Sequence, residues 1–121
     1  MIRFLVLAVA MLVFAVPARA QDAAAGDKVF KSQCSICHSA RAGKNSIGPS
    51  LFGVTGRAAG SVADFHYSDN MKGSGLTLDS ATLERFLTAP RATVPGTKMA
   101  YAGVKDDQQR RDLLAYLATL R

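Results

Sequence analysis

Two cysteines and a histidine lie within five residues of one another, at Cys34, Cys37 and His38. Their C-x-x-C-H spacing is typical of haem attachment. Two thiols three positions apart, on about one helical turn, can each add to one of the two vinyl groups of a haem. The imidazole that follows can then bind the iron as its proximal ligand. The sequence therefore predicts one haem c, with its iron, joined covalently through both cysteines.

Three other uses of these residues are weighed against haem attachment. A disulfide is the default for two cysteines in an exported chain, but it leaves His38 without a role. A thioredoxin-like dithiol requires a strand before Cys34, and no alternation of apolar and polar residues precedes it. A structural zinc site requires a fourth ligand, and the only other histidine is His66. The spacing favours haem over all three.

The first 20 residues have the pattern of a secretory signal. Arg3 gives a short positive start, residues 4–16 are an unbroken apolar run, and residues 18–20 read Ala-Arg-Ala, a typical cleavage site. The apolar run is shorter than the roughly 17–25 residues of a membrane-spanning helix, so an uncleaved anchor is the weaker alternative. The sequence predicts a signal peptide over 1–20, a mature domain over 21–121, a periplasmic location and no stable membrane insertion.

Length and charge restrict the function further. A chain of 121 residues is one small domain, which excludes a multidomain enzyme. Of the first 20 residues 17 are apolar, against 42 of the remaining 101, so the mature core is thin and a bound cofactor would help to stabilise it. Loss of Arg3 and Arg19 with the leader lowers the formal charge from +6 to +4. No dense basic run suggests nucleic-acid binding, and we expect partners with acidic docking surfaces.

Apolar periodicity predicts a helical domain without strands or internal repeats. Helices are predicted over residues 23–33, 79–89 and 106–120. Thr77 or Asp79 can cap the second helix, and Pro90 ends it. In the last helix, four apolar residues at helical spacing are predicted to face inward: Leu113, Tyr116, Leu117 and Leu120. Three polar residues before them are predicted on the outer face: Gln108, Arg110 and Arg111. Residues 39–68 hold five of the ten glycines and are predicted to form a loop that wraps the cofactor.

The second axial ligand of the iron is not determined by spacing. Met71, Met99, His66, a lysine or water could each supply it. Met99 lies in a turn-rich Pro-Gly-Thr-Lys-Met stretch, where a methionine can equally fill an irregular gap in the packing.

The order of several motifs resembles that of class I c-type cytochromes, in the bacterial branch similar to the mitochondrial proteins. These motifs are Cys-Ser-Ile-Cys-His at 34–38, Gly-Pro-Ser-Leu at 48–51, Arg57, Phe-His-Tyr-Ser-Asp at 65–69, the Pro-Gly-Thr-Lys-Met-Ala-Tyr-Ala-Gly stretch at 95–103 and Asp-Leu-Leu-Ala-Tyr-Leu at 112–117. The resemblance implies an all-α class I cytochrome c fold around one haem. It also implies that the first and last helices cross, with Gly26 and Phe30 against Leu113 and Tyr116.

The resemblance assigns roles to individual residues. It implies that Met99 is the second axial ligand and that the Pro49 carbonyl accepts a hydrogen bond from the His38 ring. Arg57 and Tyr67 are implied to hold a haem propionate. The resemblance also implies that Tyr101, two residues after Met99, is the family aromatic that shields the haem edge.

Three positions depart from the family pattern. Leu78 stands where the family usually has a tryptophan that contacts a propionate. The position of a haem-side asparagine falls on Met71, with Asn70 one residue earlier. Phe86 replaces a tyrosine and removes a hydroxyl near Met99. We expect these changes to alter the reduction potential and the strength of the bond between Met99 and the iron.

The implied function is that of a soluble, monomeric, monohaem electron carrier in a respiratory or photosynthetic chain, not an enzyme. With His38 and Met99 both bound, the iron exchanges only single electrons with partner proteins. The partners implied are a cytochrome bc complex, a terminal oxidase, a reaction centre or a dehydrogenase. Five cations form the candidate docking rim: Lys28, Lys44, Arg91, Lys98 and Lys105. The alternatives are a haem enzyme or gas sensor with a labile sixth ligand, and a module docked to one dedicated dehydrogenase.

Overall fold

The computed structural model describes residues 12–15 and 21–121, in which the chain forms five α-helices. They are α1 Ala23–Gln33, α2 Asp69–Lys72, α3 Ser80–Thr88, α4 Pro90–Thr93 and α5 Asp107–Ala118. The described part contains no strand beyond an isolated antiparallel bridge between Ala58 and Thr77. The predicted all-α fold is therefore confirmed. Most of the predicted signal peptide, residues 1–11 and 16–20, lies outside the described residues.

Aspartates cap the three longer helices. Asp22 accepts from Ala24 N at 2.9 Å, Asp79 from Thr82 N at 2.8 Å and Asp106 from Gln109 N at 2.7 Å. The three predicted helices are confirmed to within two residues at each end, and Asp79 rather than Thr77 caps α3. The single turns α2 and α4 were not predicted.

Helices α1 and α5 cross at a glycine. A Cβ atom on Gly26 would overlap the Asp112 carbonyl and would lie 2.8 Å from Tyr116 Cβ. Beside this contact, the rings of Phe30 and Tyr116 lie 5.4 Å apart between centroids, and Leu113 is fully buried. The predicted crossing is confirmed, and the small glycine allows the two backbones to approach.

Arg110 lies inside the fold, so its predicted place on the outer face of the last helix was wrong. The residue is 8% exposed, and Nη1 donates to the Val104 carbonyl at 2.9 Å. Nη2 donates to Asp107 Oδ1 at 2.7 Å. These two acceptors offset part of the cost of burying the guanidinium, whose Nε has no hydrogen-bond partner in the protein, and neither acceptor can be inferred from helical periodicity.

The predicted loop over residues 39–68 contains no helix and is held by backbone hydrogen bonds. Gly48 N donates to Cys37 O at 2.7 Å, which fixes the loop beside the C-x-x-C-H turn. Gly53 N donates to Leu120 O at 2.5 Å, which ties the loop to the end of the chain. These two hydrogen bonds fix the loop between the C-x-x-C-H turn and the end of the chain.

Residues 95–103, here named the Met99 segment, form a second stretch without helix. The segment follows α4 and is anchored at its end by Val104, whose N–H donates to Leu87 O at 2.7 Å. Gly103 adopts a φ of +108°, and a Cβ atom there would overlap the Thr88 carbonyl. The end of α3 thus sets where the Met99 segment can lie.

Candidate haem-binding site

A largely apolar cavity of about 330 Å³ lies between α1, α3, the loop over 39–68 and the Met99 segment. All seven residues predicted to hold the haem line it: Cys34, Cys37, His38, Pro49, Arg57, Tyr67 and Met99. The fold therefore brings together residues that are as far as 65 positions apart in the sequence.

The end of α1 positions the two cysteines. Cys34 is the C-cap of α1, and its carbonyl accepts from Cys37 N at 3.0 Å and from His38 N at 2.9 Å. The chain thus makes one more turn, and all three side chains line the cavity. Burial, together with the nearby Cys37, raises the pKa of the Cys34 thiol to about 11.

The competing uses of the cysteines find no support in the structure. Neither Cys34 nor Cys37 forms a disulfide. Among the described residues, no group of three or more His, Cys, Asp or Glu side chains is placed to hold a metal ion.

The His38 ring is held from two sides. Its Nδ1 lies 2.8 Å from the Pro49 carbonyl oxygen, which fixes the ring orientation and leaves Nε2 as the free donor of an electron pair. Burial lowers the pKa of His38, against the opposing effect of the Pro49 carbonyl, and so favours the neutral imidazole that a metal ligand requires.

Gly48 is a site residue that sequence reasoning missed. A Cβ atom there would lie 2.6 Å from His38 Nδ1, so only glycine lets the backbone lie against the ring. The available signal is the Gly-Pro dipeptide of residues 48–49, for which the resemblance implied a role for Pro49 alone.

Met99 lines the cavity from the Met99 segment, and Met71 and His66 also line it. Thr97 Oγ1 accepts from Met99 N at 3.3 Å, and Met99 O accepts from Tyr101 N at 3.0 Å. Of the two neighbours considered for the haem side of α2, Met71 lines the cavity and Asn70 does not.

Arg57 and Tyr67 bring polar groups to the lining of the cavity. Arg57 Nη1 donates to Ser50 O at 3.0 Å, while its buried Nε has no hydrogen-bond partner in the protein. Desolvation by burial lowers the pKa of Arg57. Tyr67 Oη accepts from Val62 N at 3.1 Å, which leaves the phenol hydrogen available to donate. Two unused donors beside an apolar cavity fit a carboxylate such as a haem propionate.

Two of the residues that depart from the family pattern make the cavity more apolar. Leu78 and Phe86 both line it, where the family pattern has side chains with polar groups. Tyr101 also lines it, half-buried, and its hydroxyl donates to Gln33 Oε1 at 2.5 Å. The hydroxyl of Tyr101 is therefore used within the protein.

Two exposed isoleucines border the cavity beside the cysteines. Ile36 is 80% exposed and Ile47 is 74% exposed, and both line the cavity. The five predicted rim cations are all exposed, and Lys98 is the one among them that lines the cavity.

Comparison with protein families matches residues 23–121 to the family described as Cytochrome c. The chain belongs to the cytochrome c family. It is 50% identical over 102 residues to cytochrome c2 of Blastochloris viridis, covering 84% of this chain and 80% of that protein. It is 44% identical over 100 residues to cytochrome c of Euglena viridis, covering 83% of this chain and 98% of that one. The solved structure of cytochrome cH from Methylobacterium extorquens matches with a TM-score of 0.76 and 47% identity, over 81% of this chain and 98% of that chain.

This cytochrome carries haem c with its iron, attached through Cys34 and Cys37. It is a monohaem electron carrier, not an enzyme. Among residues 12–15 and 21–121, no helix is long and apolar enough to cross a membrane.

Proposed function

We propose that this cytochrome is a soluble, monomeric periplasmic shuttle that carries single electrons between redox proteins. The observation that supports this most strongly is the placement of His38 and Met99 on one cavity, together with the 2.8 Å contact between His38 and Pro49. The haem iron, when bound, supplies the one-electron couple.

The chain's own residues keep the iron closed to substrates. With haem bound, the neutral His38 imidazole and the Met99 thioether, which line the same cavity, would both ligate the iron and would leave no coordination position for an incoming molecule. Thioether ligation favours the reduced state and raises the reduction potential. Leu78 and Phe86 add apolar surface to the cavity and limit the water around the iron.

Arg57 and Tyr67 would hold a haem propionate. Both residues line the cavity and keep an unused Nε–H or O–H donor, and a buried carboxylate needs such hydrogen bonds to offset its desolvation. The Pro49 carbonyl keeps a hydrogen on His38 Nδ1, which would leave Nε2 free to bind the iron.

The docking face is the side of the molecule that carries Ile36, Ile47 and Lys98 at the border of the cavity. Its apolar centre can be covered by a partner, and the exposed cations attract acidic surfaces. Partners of this kind are membrane or soluble redox proteins with acidic docking surfaces: a cytochrome bc complex, a terminal oxidase, a reaction centre or a dehydrogenase.

Location in the periplasm is proposed from the leader over residues 1–20. The family match begins at residue 23, three residues after Ala20, the last residue of the proposed leader, which supports a mature domain over 21–121. N-terminal sequencing of the exported protein tests this, with Gln21 as the expected first residue.

Stopped-flow kinetics of the reduced, haem-loaded protein test the shuttle against a haem enzyme. A small one-electron oxidant such as ferricyanide should oxidise it in a single kinetic phase, and hydrogen peroxide should be neither consumed nor bound. Sustained peroxide turnover would overturn the proposal.

A further inference from the structure

The Met99 segment is anchored firmly at its ends but has few contacts in its middle. Val94, directly before it, and Val104, directly after it, are each 2% exposed. Between them, Pro95, Gly96 and Lys98 are exposed. The position of Met99 therefore depends on whatever holds this exposed stretch against the rest of the molecule.

One side chain from outside the segment holds its first residues. Asn70, on α2, donates a hydrogen bond from Nδ2 to the Pro95 carbonyl. Within the described part of the chain, no other side chain from outside residues 95–103 bonds to residues 95–100. Asn70 thus makes the contact between α2 and the stretch that leads to Met99.

Gly96 provides a second, independent observation at the same place. Its φ is +77°, and a Cβ atom there would lie 2.7 Å from Asn70 Nδ2. The amide of Asn70 therefore lies directly against the backbone of residue 96, where a larger residue would displace it. The segment and the Asn70 side chain fit one another closely.

The local structure of α2 explains why Asn70 points away from the haem. Ser68 caps α2 by accepting from Met71 N at 3.1 Å. In this short turn Met71 lines the cavity, while Asn70 reaches the Met99 segment. Of these two adjacent residues, Met71 thus faces the cavity and Asn70 contacts the Met99 segment.

We propose that Asn70 is a positioning residue that holds the Met99 segment against α2. It thereby favours the state in which Met99 is bound to the haem iron. This rests on the proposed function, in which Met99 is the second axial ligand. Without the Nδ2 donor, the first half of the segment separates from α2 more often. The iron is then open to an outside ligand for a larger fraction of the time.

Asn70→Asp tests this because it replaces only the amide NH2 group of the side chain by an oxygen. Aspartate has the same shape, but its carboxylate cannot donate to Pro95 O and repels that carbonyl. An acidic residue in the first turn is favourable for α2, so the helix itself is not weakened. Asn45→Asp is the matched control, because Asn45 Nδ2 also donates to a loop carbonyl, Ala63 O at 3.1 Å, and does not line the cavity.

The readout is the affinity of the reduced, haem-loaded protein for carbon monoxide, which scales with the fraction of molecules whose iron is open. A single hydrogen bond shifts an equilibrium by up to about tenfold, so Asn70→Asp should bind carbon monoxide about three to ten times more tightly than the wild type. Asn45→Asp should match the wild type. The near-infrared band of methionine-ligated ferric haem should weaken in Asn70→Asp alone.

Equal carbon monoxide affinity in Asn70→Asp and the wild type would overturn the inference, as would an equal rise in Asn45→Asp. Asn70→Ser, which is too short to reach Pro95, gives the same comparison if the first variant does not accumulate. Met99→Ala separates the two levels of the argument. A wild type that binds carbon monoxide as tightly as Met99→Ala refutes the proposed function itself, whereas a closed wild type and a closed Asn70→Asp refute only the role of Asn70.

Discussion

At the scale of single residues, the haem site depends on two side chains that keep an unused hydrogen-bond donor and on one glycine. Arg57 keeps a buried Nε without a protein acceptor, and Tyr67 keeps a hydroxyl hydrogen. Gly48 leaves room for the His38 ring. Each of these features costs stability or packing in the protein alone and is explained by the cofactor that the cavity holds.

Gly48→Ala should disturb the His38 ring without touching the cysteines. The added methyl group would lie 2.6 Å from Nδ1 and would compete with the Pro49 hydrogen bond. We expect covalent haem attachment to persist, a loss of about 1 to 3 kcal/mol in the free energy of unfolding, and a partly high-spin absorption spectrum. Guanidinium denaturation followed through the haem absorbance measures both effects.

Gly73→Ala is the control for this substitution. Gly73 has a φ of −92°, and its added Cβ atom would meet only the Asp69 carbonyl at 3.2 Å. It should shift the free energy of unfolding by about 0.5 kcal/mol or less. Identical spectra and midpoints for the two variants would show that Gly48 is not needed for the His38 ring.

At the scale of elements, the crossing of α1 and α5 is the contact that tolerates least change. In Gly26→Ala the methyl group would overlap the Asp112 carbonyl, which is backbone and cannot rotate away. The helices must separate, and we expect a loss of about 3 kcal/mol or more in the free energy of unfolding.

Ala24→Ser is the matched control for the helix crossing, because it also adds one heavy atom to α1 but at an exposed position. Its effect should be within about 0.5 kcal/mol of zero. Thermal unfolding of the haem-loaded variants decides the matter, and equal melting temperatures would contradict the packing described for Gly26.

The cap of α3 should make stability depend on pH in the acid range. The hydrogen bond from Thr82 N, with a further one from the Thr82 side chain, lowers the pKa of Asp79 below its ordinary value of 3.8. The unfolded chain therefore binds this proton more readily, and the stabilisation is present above pH 3.8 and lost as pH falls through the lower folded-state pKa.

The difference in melting temperature between wild type and Asp79→Ala should therefore shrink from about pH 6 to about pH 3. Asp79→Asn keeps an oxygen that can accept from Thr82 N but does not titrate. Its advantage over Asp79→Ala should stay constant across the same range. A wild-type difference that is equally constant would rule out this role for the carboxylate.

The elements that could be predicted are those whose signals are local. Helices α1, α3 and α5 have caps and apolar periodicity within their own sequences, so their bounds follow from the sequence. Helices α2 and α4 have four residues each, which is about one turn and too short to show a period. The burial of Arg110 depends on Val104 and Asp107, and periodicity alone cannot identify such acceptors.

Seven residues that line the cavity could be named from the sequence, but Gly48 and the contacts between distant residues could not. The C-x-x-C-H spacing predicts haem attachment from chemistry alone, whereas the choice of Met99 over Met71 and His66 came only from resemblance. The contact of Gly48 with His38 and that of Asn70 with Pro95 join distant parts of the chain. Such contacts are set by the fold as a whole, and neither motif nor periodicity encodes them.

At the scale of the whole molecule, charge should govern how fast redox partners meet the protein. Lys98→Glu reverses a charge at the border of the cavity, while Lys31→Glu makes the same change in net charge at a lysine paired with Asp27 at 2.8 Å. We expect Lys98→Glu to slow oxidation by anionic ferricyanide a few-fold at low salt, and Lys31→Glu to slow it less.

The difference between the two lysine variants should vanish at about 1 M salt, where the Debye length is about 3 Å. A difference that persists at high salt would mean that Lys98 acts through the structure rather than through its charge. Equal slowing by both variants at low salt would place the electron exit elsewhere on the surface.

The central claim is that His38 and Met99 together close the iron. Optical spectroscopy of the mature protein, produced with c-type haem maturation, tests it by comparing oxidised and dithionite-reduced forms before and after carbon monoxide. The account predicts a low-spin reduced spectrum and an affinity for carbon monoxide far weaker than that of Met99→Ala. Prompt binding of carbon monoxide by the wild type would contradict it and would favour a haem enzyme or gas sensor.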